Sequence, residues 1–168
     1  DATGDGDLAT SDAIFVFNGN ADSVSLGDHV RVVGSPAEFQ GQTQLSNATS
    51  VAVCAAGATV APTDVSFPLA SATALESVEG MLVRVHGVVT RSWSDDYGSY
   101  LTVREQANDA DSIVVFLAIR HKPGIDLARI GERDAVSVTG VLGQYVRGGA
   151  LNTGYEIYPR YPEDIRER

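Results

Sequence analysis

ALESVEGMLVRVHGVVT, Ala74–Thr90, closes a short helical connection and opens a strand. Within Met81–Val89 the odd positions are Met81, Val83, Val85, Gly87 and Val89, and the even ones include Arg84 and His86. Side chains of a strand alternate between its faces, so this spacing predicts a half-buried strand with an apolar inner side. The residues before it read as the remainder of one small β-barrel, and those after it read as a second, complete one.

Downstream, Arg91–Gly98 is RSWSDDYG, a polar loop holding Trp93 and Tyr97. Ser99–Glu105 alternates, with Leu101 and Val103 facing a core and Tyr100, Thr102 and Arg104 sharing the opposite face. Gln106–Asp111 is an acidic turn, and Ser112–Ile119, SIVVFLAI, is a continuous apolar strand. Pro123–Ile130 is the helix candidate of this half, with Pro at its start and Gly131 just past its end. Asp134–Leu142 alternates again around Val136 and Val138, Gly143–Ala150 is a loop, Leu151–Tyr158 is the last strand, and Pro159–Arg168 is a polar tail. Strand, strand, strand, short helix, strand, strand is the order of an OB-fold, a five-stranded Greek-key barrel.

Upstream, Ala13–Phe17 (AIFVF) reads as a buried strand and Asn18–Asp22 as a turn. Val24–Gly34 is a lead-in and a strand, Glu38–Gln44 a loop or bulge around Gly41, and Gln44–Cys54 another strand. Ala55–Thr73 is rich in alanine and holds Pro62 and Pro68, which marks a connector, with one or two helical turns at Ser71–Val78. LGDHVRVVG at Leu26–Gly34 echoes IGERDAVSVTG at Ile130–Gly140, at equivalent places in the two halves. The expected architecture is therefore all-β: two OB-like barrels in tandem, the first incomplete at its N-terminus. Residues 1–58 form the first unit, 59–78 the connector and 79–168 the second domain.

With 168 residues the chain is long enough to bury a real core. It begins at Asp1 rather than Met, so the chain is processed, trimmed or incompletely given. It shows no signal peptide and no apolar run of membrane-spanning length. Cys54 is the only cysteine, which excludes an intrachain disulfide. The net charge of −10 is uneven: residues 1–83 carry −9 and residues 84–168 carry −1. The acidic half repels phosphate backbones, whereas the second half has room for a basic patch.

The runs DATGDGDLATSDAIFVF, VSLGDHVRVVG…EFQGQTQL and ALESVEGMLV resemble the tandem OB-like region of secreted bacterial nucleases, over about residues 1–85. In that family the region precedes a catalytic endonuclease/exonuclease/phosphatase domain, and further strands lie upstream of the D-x-T-G-D-G-D segment. The resemblance implies an extracellular OB scaffold and carries no nuclease activity over to these residues.

No H-E-x-x-H, paired cysteine, G-x-S-x-G or phosphate-binding loop is present, so the chain reads as non-enzymatic. His29, His86 and His121 lie far apart, Asp95 and Asp96 fit a solvated loop, and Asn47-Ala-Thr49 matches a glycosylation sequon. In the acidic opening loop Asp1, Thr3, Asp5 and Asp7 alternate, with Asp12 beyond. Asp1, Asp5, Asp7 and Asp12 are thus candidate calcium ligands, although the distal Glu of an EF-hand is missing. The ligand face of an OB-fold is built from its second and third strands and two flanking loops. Here these supply Arg91, Trp93, Tyr97, Tyr100, Arg104, Tyr145 and Arg147. Rings stack bases or sugars and arginine meets phosphate. The expected function is a secreted accessory module for single-stranded nucleic acid or an extended polysaccharide. The competing expectation is a structural subunit that assembles head to tail, a neighbour lending a strand to the open edge at Ala13–Phe17.

Overall fold

The computed structural model describes residues 4–7, 9–17, 24–69, 72–119, 124–149 and 153–168. Their first sheet holds β1 (Phe15–Val16), β2 (His29–Phe39) and β3 (Gln42–Ala55). β4 (Thr63–Asp64) and α1 (Ala72–Glu76) follow in the connector. The second sheet then runs through β5 (Leu82–Ser94), β6 (Gly98–Arg104), β7 (Ile113–Ala118), β8 (Ala135–Gln144), β9 (Tyr155–Tyr158) and β10 (Ile165–Glu167).

The alternation in β5 is obeyed: Val83, Val85 and Val89 are fully buried, Arg84 is half-buried and His86 is exposed. β5 pairs antiparallel with β8 over Leu82–Val88 and with β6 over Val88–Ser94. β7 lies antiparallel to β6 and parallel to β9, and β9 lies antiparallel to β8. The circuit β5-β6-β7-β9-β8 returns to β5, so five strands close on themselves. The fold is all-β with an OB-like barrel. Inside it Leu101, Val103, Ile113, Val115, Val136, Val138, Leu142 and Ile157 meet the valines of β5. Each such side chain stabilises the barrel by about 1.5–3 kcal/mol through burial.

Closure demands that β5 change partners midway. At Gly87 a side chain would run into the Arg104 carbonyl, so only glycine lets β5 approach β6 there. A bulge between Val89 and Arg91 follows at once and increases the local bend. Below the change of partner, β4 runs parallel to β5, and Arg84 clasps Asp64 through Nε–Oδ1 at 2.7 Å and Nη2–Oδ2 at 2.9 Å. The guanidinium beside Asp64 holds that carboxyl below its usual range.

The structure corrects the sequence expectations for residues 91–94, 123–130 and the tail. Residues 91–94 belong to β5, so the loop is confined to 95–97, and Arg91 and Trp93 stand on a strand. The helix expected at 123–130 is, among the described residues, a 3-10 turn at Leu127–Arg129; Ile125, Leu127 and Ile130 still pack against the core. The α-helix that reaches the core is α1, through Leu75, and it falls within the turns expected at 71–78. The tail is not free, since β10 pairs with Val136–Val138 along the edge of β8 that β9 occupies further on. The intervening 3-10 turn, Pro162–Asp164, is fastened by Arg160 and Tyr161 amides donating to Asp164.

Residues 38–44 are likewise not a loop: β2 runs to Phe39 and β3 starts at Gln42. Gln40 and Gly41 have φ of 54° and 94°, the left-handed pair that lets a two-residue hairpin follow strand twist. β1 adds parallel to β3 at one edge of this sheet, and the far edge of β2 is open among the described residues. The hairpin turn sits on the barrel: Val146 N–H donates to Gln40 O at 2.7 Å and Gly148 N–H to Gln40 Oε1 at 3.0 Å. Nearby, Thr43 N–H donates to Glu79 Oε1 at 3.2 Å and the Ser11 hydroxyl donates to the Glu79 carbonyl.

Glu79 is buried at this junction, and burial, with Glu76 and Glu38 adding repulsion, pushes its carboxyl up to about 7. A carboxyl that binds its proton more tightly in the folded state contributes stability below its ordinary value near 4.5, and that stability is lost as pH rises to about 7. Thermal melts should therefore show wild-type protein losing stability between about pH 5 and about pH 8, and Glu79→Gln losing less over the same interval.

Candidate nucleic-acid interface

The bulge in β5 has a side-chain consequence. Val89 faces inward opposite Val103, but two residues later Arg91 is opposite Thr102, and Trp93 is opposite Tyr100. The extra residue reverses the parity of the strand, so odd-numbered Arg91 and Trp93 leave the core side and join the outward face of β6. Tyr100 is in turn opposite Phe116, and the parallel register of β7 and β9 sets Phe116 beside Tyr158.

These rings form one row across the sheet. Trp93 and Tyr100 stack with centroids 4.9 Å apart and planes 6° from parallel, and Tyr100 and Phe116 stack at 4.7 Å and 17°. Tyr158 meets Phe116 edge-on at 5.9 Å and 70°, which ends the run of parallel rings. At the other end the Arg91 guanidinium lies over Trp93, 4.6 Å from the ring centroid. The spacing is that of neighbouring strands, so the rings stand upright and cover one another's faces.

Arg91, Trp93 and Tyr100 thus come together. Tyr97 is 74% exposed on the short turn, whose Asp95 Oδ1 accepts from Tyr97 N–H at 2.8 Å and Tyr100 Oη–H at 3.3 Å. Burial, followed by the Asp95 charge, pushes the Tyr100 phenol up to about 12. Arg104 is on the same face, but its Nη1 donates to the Ala110 carbonyl at 2.8 Å and to that of Asp109, closing its own turn. Tyr145 and Arg147 are exposed on the loop after β8, beside the hairpin turn.

Phe116 and Tyr158 are the members sequence reasoning missed. Ile113, Val115 and Leu117 are buried, which leaves Phe116 outward, but an unbroken apolar run hides that parity. The available signal was pairing: once Tyr100 is outward, its partners on β7 and β9 are outward too. Beside the row on β9, Glu156 is half-buried. Burial raises its carboxyl to about 7 against the opposing hydrogen bond of Tyr158, whose phenol is raised in turn, first by burial and then by Glu156.

Of the candidate calcium ligands, Asp1 lies outside the described residues. The Asp12 Oδ1 accepts from Asp5 N–H at 2.9 Å, Asp5 Oδ1 from Asp7 N–H at 2.8 Å, and Asp7 Oδ1 from Ala9 N–H at 2.9 Å. These are the hydrogen bonds of a self-capped turn. Among the described residues no group of three or more His, Cys, Asp or Glu is placed to hold a metal ion. His121 is outside the described residues as well.

Beyond Phe116 and Tyr158 the row runs into a cleft of about 690 Å³ between the barrel and the first sheet. Phe15, Phe17 and Phe39 line it from the first sheet, and Val141, Gln144 and Tyr145 from the barrel.

No protein-family model matches the sequence, and no curated protein matches it. Among solved structures, the OBody AM2EP06, bound to hen egg-white lysozyme, is 22% identical over 53% of this chain and 81% of its own, with a TM-score of 0.43. Asparaginyl-tRNA synthetase from Pyrococcus horikoshii is 15% identical over 61% of this chain and 22% of its own, with a TM-score of 0.42. The assignment of the barrel rests on its own strand order.

Because Trp93 and Tyr100 stack directly, a double-mutant cycle with Trp93→Leu and Tyr100→Leu should give a coupling of about 0.5–1.5 kcal/mol in denaturant unfolding. Additive losses would mean the two rings contribute separately.

Proposed function

We propose that this chain is a non-catalytic, extracellular binding module for single-stranded nucleic acid, acting through the outward face of its barrel. The observation that carries this is the unbroken row from Arg91 through Trp93, Tyr100 and Phe116 to Tyr158. A sheet that faces only water does not need three stacked rings and a fourth set edge-on, whereas the π-faces of bases can lie across the upright edges of such rings. The resemblance to the accessory region of secreted nucleases supports the extracellular setting. Extended polysaccharide is the neighbouring ligand class, since sugar rings also pack on aromatic side chains.

Affinity comes chiefly from the rings. Arg91 lies over the end of the row and Arg147 is exposed on the loop after β8, while Arg104 closes a turn and Arg160 is paired with Asp164. A single strand neutralised by about two arginines gives a shallow salt dependence, with a log–log slope on the order of −1 to −2. In fluorescence anisotropy with a labelled oligonucleotide, Trp93→Ala should weaken binding by about 0.5–1.5 kcal/mol, the worth of an edge-to-face contact. Arg147→Ala should flatten the salt slope by about 0.7. Unchanged affinity in Trp93→Ala would overturn the assignment.

A second function is favoured by a different observation. The edge of β2 is open among the described residues, and Val30, Val33 and Val53 are 44%, 55% and 49% exposed on the same hairpin. Such an edge recruits a further strand, which fits a subunit that assembles through the first sheet. Sedimentation velocity over a range of protein concentrations should then show association that Val33→Lys abolishes. A wild-type protein that stays monomeric at high concentration removes this function.

A further inference from the structure

The cleft where the row ends differs in chemistry from the row itself. Along the row each ring covers its neighbour, so little aromatic face is free for a ligand. In the cleft Phe15, Phe17 and Phe39 are 43%, 58% and 57% exposed, and Phe116 and Tyr158 of the barrel line the same space. Aromatic surface therefore borders the same space from both sides. The one guanidinium in the lining, Arg160, is held by Asp164 through Nε at 3.1 Å and Nη2 at 3.2 Å. The cleft thus favours a neutral planar group and disfavours a phosphate, which would lose its water without gaining a counter-charge.

Gln144 supplies a second, independent observation. It lines the cleft and is 1% exposed. Its Nε2 donates to the Thr153 carbonyl at 2.6 Å, and its Oε1 is the buried side-chain acceptor that lacks a partner among the described residues. Buried acceptors in native proteins are nearly always satisfied, and this one is in the wall of an apolar cleft. A planar ring carrying an N–H at its edge supplies what is missing.

We propose that the cleft takes the terminal base of a single strand, as an unpaired heterocycle inserted between the first sheet and the barrel with its N–H edge toward Gln144. This rests on the nucleic-acid function proposed for the row and adds to it a preference for strand ends. The end is specified because the strand cannot continue. Phe15, Phe17 and Phe39 of the first sheet wall the cleft in which the row ends, the sheet's turn is bonded to Val146 and Gly148, and a continuing backbone would carry phosphates through that apolar wall.

The experiment compares a linear oligonucleotide with a circularised strand of the same sequence, by competition anisotropy, for wild type, Phe39→Ala and Gln144→Leu. Phe39 is exposed, so its truncation leaves the core intact, and matched melting curves check both variants. The wild type should bind the linear strand about tenfold tighter than the circle, as one additional stacked base would give. Phe39→Ala should bring the linear strand down to the affinity of the circle and leave the circle unchanged, and Gln144→Leu should move the linear strand in the same direction. Equal wild-type affinity for the two forms, or a Phe39→Ala loss shared equally by both, overturns the end site while leaving the row in place. If neither form binds the wild type, both the row and the end site are overturned.

Discussion

One strand serving two partners is the constraint on which this structure depends. β5 gives its first half to β8 and its second half to β6, and the barrel closes only because that single strand turns between them. Two adjacent features make the turn possible: the missing side chain at Gly87 and the extra residue before Arg91. Replacing either would set close backbone contact against the burial energy of the core. The valines on either side of the bend are fully buried, so strain introduced there has nowhere to relax.

The aromatic row is a by-product of the same bend. Without the bulge, strict alternation would send Arg91 and Trp93 toward the barrel interior with Val89. With it they face outward, in line with Tyr100 and, through two further strand pairings, Phe116 and Tyr158. The device that closes the core thus also sets the surface. That coupling explains why the row crosses the sheet perpendicular to the strands, at a pitch set by hydrogen bonding between backbones rather than by the rings.

Much of the barrel was legible because its strands obey a period of two around apolar positions: 83 and 85, 101 and 103, 136 and 138. The strand order then pointed to an OB-like barrel, and the structure has one. Three things were not legible. A bulge leaves no compositional mark, so RSWSDDYG looked like a loop although only its residues 95–97 lie outside a strand. The apolar run at 112–119 concealed which face Phe116 takes, because in a continuous run only the pairing partners reveal the parity. The polar tail looked unstructured because a three-residue edge strand such as Ile165–Glu167 needs one buried side chain and a partner, and the partner lies nearly thirty positions back in the sequence. Of the site residues, Tyr100 followed from alternation alone. Tyr97, Tyr145 and Arg147 were placed near the face by loop position, which fixes neighbourhood and not geometry.

The first sheet has a mechanical aspect. β2 is 11 residues long, so it extends ~36 Å as a twisted ribbon. Among the described residues, the hydrogen bonds between its hairpin and the barrel gather at the turn end, around Gln40 and Thr43. A stiff ribbon held at one end is a lever with its fulcrum beside the cleft. In a ribbon hinged at that turn, any change of spacing at Phe39 would be carried to the His29 end, magnified by the ratio of their distances from the turn.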